Sequence, residues 1–140
     1  KKVVKGEVPA TSSTLFYKEP YADLAVDPAK TLLLMTLKTQ QGEVLSDEIF
    51  YFNYPKDQEL PITKVTCKTK QSNGKCEVVL SAKQLARDIF IEIPYQGARF
   101  SDNFFDLLPG QTKKIVITSN EIKKGEPIEI KIRHLKTIIK

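Results

Sequence analysis

The sequence contains no tryptophan, one histidine, one methionine and two cysteines among its 140 residues. Its longest apolar block, around Leu32 to Leu37, falls far short of the roughly 20 residues that a membrane-spanning helix needs. A single histidine argues against Ser/His/Asp or Cys/His catalysis, because these sets need a base held beside the nucleophile. These absences predict a non-catalytic chain with no membrane partner.

The two cysteines are too few for a zinc site, which needs three or four protein ligands. Eight residues separate Cys67 from Cys76, and a two-residue turn at Asn73-Gly74 places Cys67 opposite Leu80 and Cys76 opposite Gln71. The two sulfurs then lie about 13 Å apart along the strands, whereas a disulfide needs Cα atoms about 4.4–6.8 Å apart. We predict two free thiols, at least one of them buried, and neither a metal nor a cofactor.

An excess of 22 basic over 17 acidic residues gives a formal net charge of +5. The lysines and arginines are spread along the chain in small groups with acidic or apolar neighbours, and they do not form one block. Nucleic-acid binding needs a clustered basic surface. The distribution therefore predicts a solvated charged surface and no nucleic-acid partner.

Short runs of strand composition, separated by turn residues about every ten positions, predict an all-β fold, either a sandwich or a barrel. The strands are expected at Thr14 to Tyr17, Thr31 to Thr39, Val44 to Phe52, Ile62 to Thr69, Cys76 to Leu80, Asp88 to Ile93, Lys113 to Thr118 and Pro127 to Leu135. Ser81 to Arg87 is the one helix-like stretch.

Turn chemistry marks three connections. Asn73-Gly74 predicts a type I′ hairpin turn, Gln40-Gln41-Gly42 a turn between two long strands, and Pro109-Gly110 a type II turn. In the last strand the three isoleucines at 128, 130 and 132 alternate with charged residues, so they should face the core. His134 continues the isoleucine side if the alternation persists, and it is expected to be a structural or surface residue.

Acidic and aromatic residues provide only weak candidate sites. A glycosidase needs two carboxylates about 5–5.5 Å apart across a cleft if it retains configuration, and pairs such as Asp47 with Glu48, or Asp102 with Asp106, are common in any sequence. Sugar binding stacks aromatic rings on the sugar, and the five tyrosines are the candidate platforms. They are Tyr17, Tyr21, Tyr51, Tyr54 and Tyr95. We expect each to pack with its ring buried and its hydroxyl exposed to solvent.

The first 30 residues are irregular, with Pro9, Pro20 and Pro28 interrupting them. We expect residues 1–30 to be a lead-in segment, or a first strand from an upstream domain, and residues 31–140 to form one β-sandwich. The start at Lys1 and Lys2 lacks the apolar region of a signal peptide. It is interpreted as the start of an excised piece, whose compartment depends on the parent protein.

Two stretches carry a resemblance. The segment Phe100 to Gly110, FSDNFFDLLPG, resembles a motif near the C-terminus of β-mannosidases and related family 2 glycoside hydrolases. Gly42 to Phe52, followed by Pro55-Lys56, is similar to an earlier part of the same domain. Together the similarity covers about residues 31 to 135.

The resemblance implies an immunoglobulin-like antiparallel β-sandwich, placed last in a multidomain enzyme whose two catalytic glutamates lie on a separate barrel. It implies no catalytic residue here, and it makes upstream domains of the same polypeptide the partners, with possible weak carbohydrate contact. The parent is expected to be exported to a periplasmic, secreted or lysosomal location. Alternatives are an independent carbohydrate-binding or adhesion module and the same domain of an exo-β-glucosaminidase. The candidate structural and inter-domain residues are Phe100, Ser101, Asp102, Asn103, Phe104, Phe105, Asp106, Pro109 and Gly110.

Overall fold

The computed structural model describes residues 2–24 and 27–138. The chain divides into two compact units, residues 1–59 and 60–140. This division lies well after the boundary expected between residues 30 and 31, because the first long hairpin belongs to the first unit. Positions 1, 25 and 26 of the expected lead-in segment lie outside the described residues.

The first unit is built on one antiparallel hairpin. A short helix α1 (Tyr21–Leu24) precedes β1 (Leu32–Lys38) and β2 (Val44–Tyr51), and one 3₁₀ turn follows at Pro55–Asp57. The turn predicted at Gln40-Gln41-Gly42 is confirmed: Gly42 has φ +91°, and its N–H donates to the Thr39 carbonyl at 3.0 Å.

The strand predicted at Thr14 to Tyr17 is wrong. Within the described part of the first unit, the only paired strands are β1 and β2. A short run of strand composition becomes a strand only where another strand can pair with its backbone. No described strand pairs with residues 14–17, so their strand-like composition is not enough to make them a strand.

Residues 60–138, the described part of the second unit, contain seven strands in two sheets. They are β3 (Val65–Ser72), β4 (Lys75–Ala82), β5 (Ala86–Glu92), β6 (Arg99–Phe100), β7 (Phe105–Leu107), β8 (Thr112–Thr118) and β9 (Lys131–Arg133), followed by helix α2 (Leu135–Ile138). One sheet has the order β3-β4-β8-β6 and the other β7-β5-β9, and every pairing is antiparallel. The predicted immunoglobulin-like β-sandwich is confirmed.

The core lies where alternate side chains of the two sheets meet. In β4, Cys76, Val78, Leu80 and Ala82 are buried, whereas the residues between them are not. The same cluster is completed by Ala86, Ile89, Ile91, Phe105, Leu107, Ile115, Ile117 and Ile122. The isoleucines at 128, 130 and 132 pack against this cluster while their charged neighbours are exposed, as predicted.

Three local predictions for this unit are wrong. Of the two turn residues, only Gly74 has positive φ, so the turn is not type I′. The loop that follows β8 fixes it: Asn73 accepts the Lys124 N–H at 2.9 Å, and Gly74 donates to Ile122 at 2.8 Å. Ser81 to Arg87 is not helical: its two ends belong to β4 and β5, and residues 83–85 join the strands. The last strand is shortened to β9, and the short strands β6 and β7 were not expected.

The cysteine register is as predicted. Cys67 pairs with Leu80 and Cys76 with Gln71, and both thiols are free. Cys67 is exposed, whereas Cys76 lies fully in the core, and this burial raises the pKa of its thiol. The prediction that at least one is buried is confirmed.

His134 directly follows β9 and is buried, only 4% exposed. Its Nε2 lies 3.2 Å from the carbonyl oxygen of Thr63, and its backbone N–H donates to the hydroxyl of Thr137 at 3.0 Å. Neither described helix is long or apolar enough to cross a bilayer.

Candidate functional site

The segment Phe100–Gly110 passes from one sheet of the sandwich to the other. It begins in β6, at the edge of the four-stranded sheet, and its next strand, β7, belongs to the three-stranded sheet. The side chains between the two strands therefore determine how the crossing is held.

At the start of the crossing, Ser101 extends the pairing with β8. Its N–H donates to the Val116 carbonyl at 2.8 Å, and its hydroxyl accepts the Val116 N–H at 2.9 Å. Asp102 forms an ion pair with Lys113, whose ammonium nitrogen also lies 4.2 Å from the centre of the Phe105 ring. Both polar residues thus fasten the crossing to the four-stranded sheet.

Asn103 holds the crossing segment to the three-stranded sheet. Its Oδ1 accepts the Ile91 N–H at 2.9 Å, and its Nδ2 donates to the Ile91 carbonyl at 3.0 Å. The side-chain amide therefore occupies the place of a backbone amide beside β5. Oδ1 also accepts the N–H of Phe104 at 3.2 Å, which ties the next residue into the same contact.

Phe104 and Phe105 point in opposite directions. Phe105 is 8% exposed and belongs to the core, whereas Phe104 is 68% exposed. The prediction that at least one of them is buried is confirmed. Phe104 has φ +62°, and its ring stacks on Phe90 with centroids 4.5 Å apart and planes 21° from parallel.

Asp106 holds a bulge in β5. The pairing of β5 with β7 shifts between Ala86 and Ile89, and Asp88 within the bulge has φ +53°. The Asp88 N–H donates to Asp106 Oδ1 at 2.7 Å. Partial burial, and then the charge of Asp106, raise the pKa of the Asp88 carboxyl, although Arg87 at 3.5 Å acts in the opposite direction.

Pro109-Gly110 closes the segment with the predicted turn. The Gln111 N–H donates to the Leu108 carbonyl at 3.0 Å, and Gly110 has φ +75°, as the second central residue of a type II turn requires. The Gly110 N–H also donates to the Ala82 carbonyl at 3.0 Å, which fixes the turn against the end of β4.

These contacts create an outward surface on the three-stranded sheet. We call it the aromatic face, and it consists of Asp88, Phe90, Glu92, Phe104 and Arg133. Phe90 pairs in register with Arg133, and the Arg133 guanidinium forms an ion pair with Glu92 at 3.1 Å. Ile89 and Ile91 are buried on the opposite side of β5, so Phe90 and Glu92 face outward.

The tyrosines proposed as platforms behave in different ways. Tyr21 donates its hydroxyl to the Phe52 carbonyl at 2.8 Å, and its ring packs edge-on against Phe52. Tyr95 packs against the core of the second unit. Tyr54 is 76% exposed, contrary to the expectation of a buried ring. It follows the end of β2 and precedes the 3₁₀ turn, a position at the margin of the hairpin.

The acidic pairs singled out from the sequence are not brought together for catalysis. Asp47 and Glu48 are consecutive in β2, so their side chains leave the strand on opposite sides. Asp102 pairs with Lys113, whereas Asp106 binds the backbone of β5. Within residues 2–24 and 27–138, no three His, Cys, Asp or Glu side chains are grouped to hold a metal ion.

Comparison with known families decides what kind of domain this is. The model for the Ig-fold domain of mannosidases matches residues 60–138, more than half of the chain. The chain belongs to this mannosidase Ig-fold domain family. A second model, the mannosidase Ig/CBM-like domain, matches residues 1–57. No curated protein matches the chain.

The two matched regions correspond closely to the two compact units, which divide after Glu59. The chain therefore contains Ig-like mannosidase sequence on both sides of this division. The motif Phe100–Gly110 is visible in the sequence, whereas the aromatic face is not predicted by it. The available signal was the adjacent pair Phe104-Phe105, which alternation requires to divide between the core and the outside.

Proposed function

We propose that this chain is a non-catalytic accessory part of a β-mannosidase-type family 2 glycoside hydrolase, where it stabilises the arrangement of the upstream domains. Membership of the mannosidase Ig-fold family supports a role within such an enzyme. The motif Phe100–Gly110 supports β-mannosidases in particular, since it resembles their C-terminal sequence.

The observation that carries the non-catalytic assignment is how the polar side chains of the motif are used. Ser101, Asn103 and Asp106 each accept a backbone N–H from a neighbouring strand, and Asp102 pairs with Lys113. Glycoside cleavage needs a general acid and a second carboxylate facing one sugar. Carboxylates engaged in holding strands are poorly placed for either task.

A stabilising role follows from what terminal domains ordinarily do. Interfaces between domains of one chain typically cover about 600–1,500 Å², and burial of apolar area contributes roughly 25 cal/mol per Å². Removal of a docked domain exposes that area. The upstream domains of the parent would then unfold or aggregate more readily, while their catalytic carboxylates stay in place.

The first test is hydrolysis by the 140-residue chain alone. We expect no cleavage of 4-nitrophenyl β-mannoside above the rate in buffer. Cleavage that disappears in Asp88→Asn or Asp106→Asn, but persists in the control Asp47→Asn, would overturn the non-catalytic assignment. These two aspartates are chosen because the charge of one raises the pKa of the other.

The alternative parent, an exo-β-glucosaminidase, is distinguished by substrate. We expect the enzyme that contains this chain to cleave aryl β-mannosides faster than aryl β-glucosaminides. The reverse order would assign the chain to the glucosaminidase and leave its accessory role unchanged.

A further inference from the structure

We propose that the aromatic face binds a neutral pyranose ring, with the exposed ring of Phe104 as its stacking platform. This inference goes beyond the proposed function and does not depend on it, since it concerns a surface of this chain alone. It rests on the position of the ring, on the contacts that fix it and on the polar groups around it.

The Phe104 ring is exposed and already supported from behind. One face stacks on Phe90 at 4.5 Å, so the opposite face is open to a ligand. An aromatic face is electron-rich, and the axial C–H groups of a pyranose carry partial positive charge. A sugar can therefore cover the open face in the same way that Phe104 covers Phe90.

The position of the ring is fixed at a conformational cost. The left-handed region is unfavourable for a residue other than glycine, and Phe104 is one of three such residues in the described part of the chain, with Thr11 and Asp88. Asn103 binds the Phe104 N–H while its amide is tied to β5 at both ends. Backbone strain of this kind persists where the surroundings enforce it, and it concentrates at functional sites.

A second strained residue lies on the same face. Asp88 has φ +53°, and Asp106 of the same motif holds its N–H. The motif Phe100–Gly110 thus enforces the left-handed conformation at both Phe104 and Asp88. Fixing both residues before a ligand arrives reduces the entropy that binding must overcome.

Polar groups flank the platform at the spacing of neighbouring sheet positions. Glu92 lies two residues after Phe90, roughly 7 Å away along β5, and Asp88 lies in the bulge that precedes Phe90. Arg133 is opposite Phe90 in β9, and its guanidinium is oriented by Glu92. A site with one apolar surface and a few fixed donors and acceptors suits a sugar, which presents C–H groups on its faces and hydroxyls at its edge.

The size and composition of the face favour a sugar over a protein partner. A stable protein interface covers about 800 Å² on each side with an apolar centre depleted in charge. Here two stacked rings are bordered by Asp88, Glu92 and Arg133, all charged. The open apolar area is that of one ring, which matches a single pyranose.

The test is a ¹H–¹⁵N NMR titration of the 140-residue chain with methyl β-mannoside, methyl β-glucoside and β-1,4-mannobiose. Each sugar is added up to about 50 mM, because one stacked ring should give an affinity in the millimolar range. We expect shifts of the Phe90, Phe104 and Arg133 amides. Phe104→Ala should weaken binding about tenfold, as expected for loss of one aromatic contact, while Phe104→Tyr should retain it.

Tyr54→Ala provides the matched control, because Tyr54 is an exposed aromatic residue of the other unit. It should bind as the unaltered chain does. Absence of shifts on the aromatic face with all three sugars would overturn the proposal, as would equal loss in Tyr54→Ala and Phe104→Ala. A Phe104→Ala variant that binds sugar normally but lowers the melting temperature of the larger enzyme would instead assign this face to a protein contact. None of these outcomes depends on whether the chain hydrolyses β-mannosides.

Discussion

Replacing each of the adjacent phenylalanines by alanine should have very different effects on stability. Phe105 is 8% exposed and packs in the core, and truncation of a buried phenylalanine costs about 3–5 kcal/mol. For a unit of this size, 1 kcal/mol shifts the melting temperature by about 4–8 °C. Phe105→Ala should therefore lower the melting temperature of the second unit by at least about 12 °C.

Phe104→Ala removes a ring that is 68% exposed. Its main loss is the stack on Phe90, worth about 0.5–1.5 kcal/mol. Phe104→Gly loses the same contact but also relieves the left-handed strain at φ +62°, about 1–2 kcal/mol. The glycine variant should thus match the unaltered chain to within about 1 kcal/mol.

The assay is thermal and urea unfolding followed by circular dichroism, on the unaltered chain and these three variants. Equal destabilisation by Phe104→Ala and Phe105→Ala would refute the assignment of one ring to the core and the other to solvent. A glycine variant less stable than the alanine variant would refute the claim that Phe104 is strained.

Three further predictions concern separate features. Gly110→Ala should cost about 1–2 kcal/mol in urea unfolding, through its positive φ alone, since an added Cβ meets no atom within 4 Å; an unchanged midpoint would contradict this. Hydrogen bonds from Lys114 and Lys75 hold the pKa of Glu77 at about 2. The contribution of Glu77 to the free energy of unfolding should therefore be complete above pH 4.5 and be lost as the pH falls towards 2. Glu77→Gln should remove this dependence of stability on pH, and an unchanged pH profile in the variant would contradict the assignment. In thiol titration without reductant, Cys67 should react in the native chain and the buried Cys76 only after unfolding; a denatured chain with no reactive thiol would overturn the strand register.

Much of the sandwich could be predicted from sequence because its central strands have two independent signals. β4 and β8 alternate buried and exposed residues, and the turn at Asn73-Gly74 fixes the register of β3 on β4. The cysteine register followed from these signals alone. The alternation placed His134 on the isoleucine side, and it is buried there although it lies just beyond the end of β9.

The sequence-based predictions fail where tertiary contacts decide the local structure. β6 and β7 contain two and three residues, too few for a periodic pattern, and side chains such as Asn103 hold the crossing between them. The turn at Asn73-Gly74 departs from type I′ because the later loop binds it. The aromatic face combines residues of β5, β9 and the crossing, which are distant in sequence and meet only in the folded sheet.

The central claim, that this chain is an accessory and not a catalytic part of a β-mannosidase-type enzyme, is tested most directly by deleting it from that enzyme. The measurement is the pH dependence of aryl β-mannoside hydrolysis, made alongside the melting temperature of the truncated and intact enzymes. We predict a lower melting temperature and an unchanged pH optimum, because the proposal assigns the ionising catalytic groups to other domains. A shifted pH optimum with unchanged stability would contradict the account and place this chain at the active site.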